Sequence, residues 1–232
     1  MRRVKGGRIR ERERKGAGRL RGRCAGAARR CELGGRKSTT WPSSYFKAAP
    51  GSAATVTVGG VKAAQITSSG TSPYGYGGVS VSFPATTTFS QLTTLSTSYN
   101  MTQGTCVGGA PRFQLDLADA GGMYIGTLVA YIGPGASLNG DPCPAANNAW
   151  ATQPNVATSA DPATMRWDFQ ACTGTCPGDT PPANNRQSWA VEQTALGGFR
   201  MTDAQIVVDA GWATTPASQQ MTIENWNVNG KI

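Results

Sequence analysis

The stretch Arg112-Phe113-Gln114-Leu115-Asp116-Leu117 alternates between polar and apolar side chains, so its three apolar residues share one face. Such alternation is typical of a half-buried β-strand. Residues 119–122 follow as a turn, in which paired glycines can supply the positive φ angles of a hairpin. Residues 123–132 are then predicted to form the return strand. The stretch therefore predicts an antiparallel hairpin with one buried face.

Similar short patterns, bounded by Gly, Pro and Asn, recur along the chain. They predict about nine or ten strands at a spacing of roughly 8–15 residues, which favours an all-β fold. We expect an antiparallel two-sheet β-sandwich of jelly-roll-like type, with closure into a barrel as the alternative. The other predicted strands include residues 55–58, 62–67, 79–83, 92–101, 165–169, 204–209 and 221–228.

One short helix is predicted, at residues 188–196. Ser188 is suited to the N-cap and Gly197 to the C-cap. In the last predicted strand, alternation places Met221 and Ile223 on one face together with Asn225 and Asn227.

The basic charge is concentrated at the N-terminus. Residues 1–40 hold 15 of the 22 Lys and Arg and three of the 13 Asp and Glu, a local net charge of +12 that leaves −3 for residues 41–232. A segment so charged and so poor in large apolar residues cannot offset the entropy of ordering. We expect residues 1–40 to be a disordered Arg-rich leader and residues 41–232 to be a single β-sandwich domain.

The leader has two interpretations. An export signal contains an apolar core of about 7–15 residues, and the leader has none. Its Arg/Gly/Ala bias is typical of a GC-rich region translated out of frame, so residues 1 to about 38 are either not the native N-terminus or a genuine basic arm. No apolar run approaches the roughly 18 residues of a membrane span.

Four cysteines lie in the predicted domain: Cys106, Cys143, Cys172 and Cys176. An even number without any histidine favours disulfides, and Cys106–Cys143 with Cys172–Cys176 is the most sensible connectivity. A zinc site formed by all four is the alternative, although only Cys172 and Cys176 have the spacing of a zinc knuckle.

The composition excludes several kinds of catalysis. The chain has no histidine, so it has no Ser-His-Asp triad, no Cys-His pair and no His-ligated metal. Glycine motifs for nucleotides are also absent. Beyond the leader the only glutamates are Glu192 and Glu224, and neither belongs to the Glu-x-Asp-x-x-Glu run of laminarinase-type glycosidases. We therefore expect a protein that is not an enzyme.

Aromatic residues in polar loops are the candidates for ligand binding. Aromatic faces can stack on sugar rings while amides bond the hydroxyls. Trp167, Trp212 and Trp226 are instead expected to pack in or over the core. The binding candidates are Tyr74, Tyr76, Trp150, Asn147 and Asn148.

Aspartates in or near turns are weak candidates for a Ca²⁺ site, which would be the only cofactor. These are Asp116 with Asp119, and Asp141 beside Asn139. Calcium takes carboxylate and carbonyl oxygens, but aspartate also caps turns without any metal, and that role is the more common one.

Residues from about 56 to 229 resemble a family of uncharacterised secreted bacterial proteins, found mainly in actinobacteria. The resemblance lies in Phe89-Ser90-Gln91-Leu92-Thr93-Thr94-Leu95-Ser96-Thr97, Cys106 with Gly108-Gly109-Ala110-Pro111-Arg112-Phe113, Val207-Val208-Asp209-Ala210-Gly211-Trp212 and Ile223-Glu224-Asn225-Trp226-Asn227-Val228-Asn229. It implies an exported β-sandwich with a Cys106–Cys143 bridge and no established activity. This chain departs from the family at its N-terminus and adds the Cys172/Cys176 loop.

Two functions follow as expectations. The first is an exported, non-enzymatic binding module at the cell surface or outside the cell, whose partner is a polysaccharide or a surface glycan. The second is a small viral coat protein, in which residues 1–40 bind nucleic acid through phosphate contacts and the jelly roll builds the shell. The acidic balance of residues 41–232 argues against the second.

Overall fold

The computed structural model describes residues 44–70, 75–104, 106, 110–133, 149–161, 166–170, 186–209 and 218–230. Within these ranges the chain forms eleven strands, one α-helix and a 3₁₀ turn at Phe89–Gln91. The helix is α1 (Trp189–Leu196). The strands are β1 (Ser44–Ala48), β2 (Ser52–Val58), β3 (Val61–Ser68), β4 (Tyr76–Ser82), β5 (Leu95–Gln103), β6 (Arg112–Ala118), β7 (Tyr124–Tyr131), β8 (Ala151–Gln153), β9 (Trp167–Gln170), β10 (Arg200–Val208) and β11 (Gln219–Val228).

The strands form two antiparallel sheets. The six-stranded sheet has the order β1-β4-β10-β6-β7-β9, and the five-stranded sheet has the order β2-β3-β11-β5-β8. Every strand pair in both sheets is antiparallel. The predicted two-sheet β-sandwich is therefore confirmed, and neither sheet closes into a barrel.

The core lies between the two sheets and follows the predicted alternation. In β6 the apolar residues Phe113, Leu115 and Leu117 are fully buried, whereas the polar residues between them are half-buried. Trp167 and Trp226 are also buried, as the packing interpretation predicted. Alternation along the strands thus gives each sheet an inner face toward the core and an outer face away from it.

The two sheets approach closely near β2 and β4. A Cβ atom at Gly77 would overlap the carbonyl oxygen of Ser52, and one at Gly51 would overlap the backbone of Tyr76. Only glycine, which lacks Cβ, allows the backbones of the two sheets to meet here.

Helix α1 begins and ends where the sequence predicts. The Ser188 hydroxyl accepts a hydrogen bond from the Val191 amide, and Gly197 is the C-cap. Trp189 packs against Trp167 and Phe89, with 5.0 Å between ring centroids in each pair. The helix therefore continues the core beyond the end of β9. No described helix has the length and apolar character that crossing a membrane requires.

The prediction for the face of β11 was wrong in its second half. A bulge lies between Glu224 and Asn227, where Asn225 has a φ of 52°. An extra residue shifts the alternation by one position, so Trp226 and Val228 join the core while Asn225 is exposed. Asparagine is among the few residues besides glycine that tolerate this left-handed conformation.

Candidate functional site

Polar side chains are concentrated on the outer face of the six-stranded sheet. On β6 this face carries Arg112, Gln114 and Asp116, because the residues between them point into the core. On β10 it carries Asp203 and Gln205. The strand register places Asp203 opposite Asp116 and Gln205 opposite Gln114. The most polar part of the face therefore lies on two neighbouring strands in the middle of the sheet.

A glutamine links the two carboxylates. The Gln205 Nε2 group donates to Asp116 Oδ2 at 3.1 Å and to Asp203 Oδ2 at 3.0 Å. The other oxygen of each carboxylate accepts from a hydroxyl: Thr127 Oγ1 donates to Asp116 Oδ1 at 2.7 Å, and Ser82 Oγ donates to Asp203 Oδ1 at 3.4 Å. Both carboxylates are thus held in fixed orientations by neighbours from three other strand positions.

The hydrogen bonds continue along the face beyond Gln205. Gln114 donates to Gln205 Oε1 at 3.4 Å and accepts at Oε1 from Arg112 Nε at 2.7 Å. The Arg112 guanidinium then forms an ion pair with Asp209 at 3.5 Å. We call the connected set Ser82, Arg112, Gln114, Asp116, Thr127, Asp203, Gln205 and Asp209 the polar network.

Burial and charge act on the network together. Burial raises the pKa of Asp203, and the neighbouring Asp116 carboxylate raises it further, while hydrogen bonds from Gln205 and Ser82 oppose the rise. Burial lowers the pKa of Arg112, and the pairing with Asp209 opposes that change. Two like charges directly opposite each other on adjacent strands are destabilising. Folding stability therefore does not explain why the Asp116 and Asp203 carboxylates lie opposite each other.

An exposed tyrosine lies at one end of the network. Tyr124 is 47% exposed at the start of β7, and its hydroxyl lies 2.8 Å from Thr127 Oγ1. Because Thr127 in turn bonds Asp116, the ring stands beside the carboxylates with much of its surface open to solvent. The arrangement offers a flat aromatic surface next to fixed hydrogen-bonding groups.

A second group of ionisable residues lies toward the β9 edge of the same sheet. The Tyr131 hydroxyl donates to Asp168 Oδ2 at 3.0 Å, and the Arg186 guanidinium lies 4.6 Å from the centre of the Tyr131 ring. Burial, together with the Asp168 charge, raises the pKa of Tyr131 to about 12. Tyr131 therefore acts as a hydrogen-bond donor at any physiological pH.

Glu192 of α1 is fully buried near this second group, and among the described residues neither of its carboxyl oxygens has a hydrogen-bond partner. Asp168 Oδ1 is also buried without one. Burial raises the pKa of Glu192 to about 8, and the Asp168 charge contributes in the same direction. Glu192 is therefore protonated and neutral at pH 7, which is how a carboxyl group without a partner remains inside a protein.

The aromatic residues predicted from the sequence are not gathered at the polar network. Tyr76 is exposed at the start of β4, with its ring centroid 6.2 Å from that of Phe46 on the edge strand β1. Trp150 is 38% exposed just before β8, the edge strand of the other sheet. Tyr74, Asn147 and Asn148 lie outside the described residues. Sequence analysis missed Tyr124, because nothing in a return strand distinguishes an exposed tyrosine from a buried one.

The calcium candidates have protein partners of their own. Asp119 Oδ1 accepts the Met123 amide at 2.8 Å, the bond of a turn-capping aspartate, and Asp116 belongs to the polar network. Asp141 lies outside the described residues. In the described part of the chain, no group of three or more His, Cys, Asp or Glu residues is placed to hold a metal ion.

Of the four cysteines, only Cys106 is described. It is buried, with its Sγ atom 3.7 Å from the carbonyl oxygen of Ile132. Cys143, Cys172 and Cys176 fall in ranges that the structure does not describe. The disulfide connectivity therefore stays a prediction.

Comparisons with known proteins found only distant structural similarity. No protein-family model matches the chain, and no curated protein matches it significantly. The family 11 carbohydrate-binding module of the cellulosomal cellulase Lic26A-Cel5E of Clostridium thermocellum has 12% identity and a TM-score of 0.44, covering 80% of this chain and 85% of that one.

Two further solved structures are similar at the same level. A family 11 carbohydrate-binding module from Clostridium thermocellum, in complex with a β-1,3-1,4-mixed-linked tetrasaccharide, has 13% identity and a TM-score of 0.43, covering 82% of this chain and 89% of that one. An exo-β-agarase has 14% identity and a TM-score of 0.37, and the similarity covers 82% of this chain and 24% of the agarase chain. Similarity this low carries no argument about function, which has to come from the site itself.

Proposed function

We propose that this protein is an extracellular, non-enzymatic carbohydrate-binding module and that it binds polysaccharide on the outer face of its six-stranded sheet. The observation that carries the proposal is the polar network, which ends at the exposed ring of Tyr124. The expectation of export rests on the family resemblance and on the predicted disulfides.

The chemistry of the network suits sugar hydroxyls. A hydroxyl group both donates and accepts, so carboxylates, amides and a guanidinium can each bond it. Because the side chains of the network already hold one another in place, binding a ligand would freeze few additional rotamers. Tyr124 would supply the apolar surface on which a sugar ring can stack.

The geometry of the two central carboxylates favours binding over hydrolysis. Glycosidases place one carboxyl group on each side of the scissile bond. Asp116 and Asp203 instead project from adjacent strands on the same side of the sheet and bond the same amide nitrogen. A ligand on this face would meet both from one side.

The coat-protein alternative depends on residues 1–40. These lie outside the described residues, so the nucleic-acid arm stays a prediction, and nothing on the described face favours it.

The first test is binding of the full chain to soluble neutral polysaccharides by affinity electrophoresis. A soluble, uncharged glucan should come first, because its hydroxyl groups both donate and accept hydrogen bonds and it carries no charge of its own. Gln205→Ala should weaken binding by about tenfold to a hundredfold, since it removes the amide that bonds both carboxylates and holds them in place.

Gln65→Ala is the matched control. Gln65 is a half-buried glutamine on the outer face of β3 in the other sheet, and its loss should leave binding unchanged. Failure of the wild-type chain to bind any neutral polysaccharide would overturn the proposal. An equal loss of affinity for Gln205→Ala and Gln65→Ala would show that the binding site does not lie on this face.

A further inference from the structure

Among the described residues, four strands lie at the edges of the two sheets, and they differ in how they are protected. An edge strand exposes unpaired backbone N–H and C=O groups, and proteins usually keep such strands short or place charges or proline on them. β8 has three residues and β9 has four, and β1 has five with Lys47 among them. β2 has seven residues, Ser-Ala-Ala-Thr-Val-Thr-Val, with no charge and no proline. β2 is therefore the edge strand that has none of these protections.

β2 is also open to solvent. Ala54, Thr55, Thr57 and Val58 are exposed, and among the residues that the structure describes no strand pairs with β2 except β3. In an antiparallel pair, alternate residues direct their backbone groups away from the partner strand. Along its free edge, β2 thus offers a regular row of donors and acceptors.

Exposed valines extend this edge to the tip of the β2–β3 hairpin. Val58 is 39% exposed and Val61 is 53% exposed, and the two face each other across the turn. Val56 lies on the same outer face as Val58, because neighbouring Thr55 and Thr57 point to the inner side. The edge and this small apolar patch are continuous.

Strand β1 does not protect this edge. It contacts β2 from the other sheet, through a hydrogen bond of 2.6 Å between Tyr45 Oη and Thr55 Oγ1. Thr55 is opposite the core residue Ala64 in β3, so the contact lies on the inner side of β2. β1 therefore does not pair with the backbone groups on this edge.

We propose that β2 is the contact strand of a symmetric homodimer, in which the β2 strands of two copies pair antiparallel across a two-fold axis. An antiparallel edge is complementary to itself in its hydrogen bonds, and a two-fold axis presents the same patch on both sides. Because β2 carries no charge, like charges do not meet along the pairing, whereas a charged partner peptide would find no opposite charge. Val58 of each copy would lose solvent exposure against the opposite end of the other β2 strand.

The test is sedimentation equilibrium of the full chain over a wide concentration range at moderate salt, which screens the charge of residues 1–40. Wild type should show a monomer–dimer equilibrium. Val58→Lys should weaken self-association by about tenfold or more, because it removes an apolar contact and places a charge on the edge that pairs. Val191→Lys on α1 is the matched control, since Val191 is 43% exposed and lies away from β2; it should leave the equilibrium unchanged.

Amide hydrogen exchange tests whether β2 forms the dimer interface. In the wild type, the β2 amides should become more slowly exchanging as concentration rises, and this change should disappear in Val58→Lys. A chain that stays monomeric at every concentration would overturn the proposal. So would a dimer in which the exchange of β2 does not depend on concentration, because its interface would then lie elsewhere.

Discussion

The outer faces of the two sheets follow the same alternation but differ in chemistry. The six-stranded sheet carries carboxylates, glutamines and an arginine connected in one polar network. The five-stranded sheet carries mostly hydroxyl and amide side chains that bond in local pairs, such as Ser52 with Thr67 and Thr102 with Gln220, together with Glu224 and the exposed valines of the β2–β3 hairpin. Both arrangements satisfy the rule that polar residues face away from the core.

The difference between the two outer faces shows that a stable sheet does not require opposed charges on its outer face. Small hydroxyl groups are sufficient to keep the outer face of a sheet polar, as the five-stranded sheet demonstrates. Opposed carboxylates such as Asp116 and Asp203, and the buried carboxyl of Glu192, carry electrostatic costs. Because the two opposed carboxylates lie on the outer face of the six-stranded sheet, that face is favoured as the functional one, and three predictions test the contrast between the two sides.

The largest expected effect is on stability above neutral pH, through Glu192. Its pKa is raised from 4.5 to about 8, so the unfolded chain releases this proton at a lower pH than the folded chain does. The stability that the neutral carboxyl provides is present below pH 4.5 and is lost as pH rises to about 8. Glu192→Gln should therefore raise the free energy of unfolding at pH 9 by about 2–4 kcal/mol and change it little at pH 4.

The matched control is Glu224→Gln. Glu224 lies half-buried on β11 in the five-stranded sheet, so Glu224→Gln separates the effect of removing any carboxyl group from the effect of removing the fully buried one. Urea titrations at both pH values, followed by tryptophan fluorescence, give the two free energies. Equal effects of both substitutions at pH 9 would show that buried charge is not particular to the six-stranded side.

Much of the fold could be predicted from the sequence because its signals are local. Strand β6, the hairpin to β7 and the capped helix α1 each depend on residues close together in the chain. β8 was missed because three residues are too few to show a period. The bulge in β11 was missed because a left-handed asparagine leaves no mark on the pattern of apolar residues.

The candidate site was harder to predict because it depends on pairing between distant strands. Alternation alone indicates that Asp116 and Gln205 point outward. It does not indicate that they are neighbours, because their contact joins residues 89 positions apart. Sequence reasoning therefore turned to aromatic residues in loops, where exposure can be inferred from composition, and overlooked Tyr124.

A smaller effect is expected from the exposed aromatic residues. Tyr124→Ala should weaken binding of a neutral polysaccharide by about tenfold, because stacking on a sugar ring contributes up to about 1.5 kcal/mol. Trp150→Ala removes a ring of similar exposure beside the five-stranded sheet and should change the affinity by less than about twofold if the six-stranded face is the site. Isothermal titration calorimetry measures both. A larger loss of affinity for Trp150→Ala than for Tyr124→Ala would indicate that the site lies near Trp150, one of the residues predicted from the sequence.

The smallest effect concerns the charge of the ligand. Because Asp116 and Asp203 stand together on the network while Arg112 is already paired with Asp209, the face should disfavour anionic sugars. At low salt, replacing both aspartates by asparagine should raise the affinity for a carboxymethylated oligosaccharide relative to its uncharged parent by about threefold to tenfold, and high salt should remove most of the difference.

The positive charge of residues 1–40 does not obscure this comparison, because it is the same in both chains and cancels when the two affinity ratios are compared. Glu224→Gln again serves as the control, since it removes a negative charge from the other sheet. If Glu224→Gln changed the ratio as much as the double substitution, the discrimination would reflect the net charge of the protein. A change confined to Asp116→Asn with Asp203→Asn would place the ligand on the outer face of the six-stranded sheet, because the interaction between two charges weakens with the distance between them.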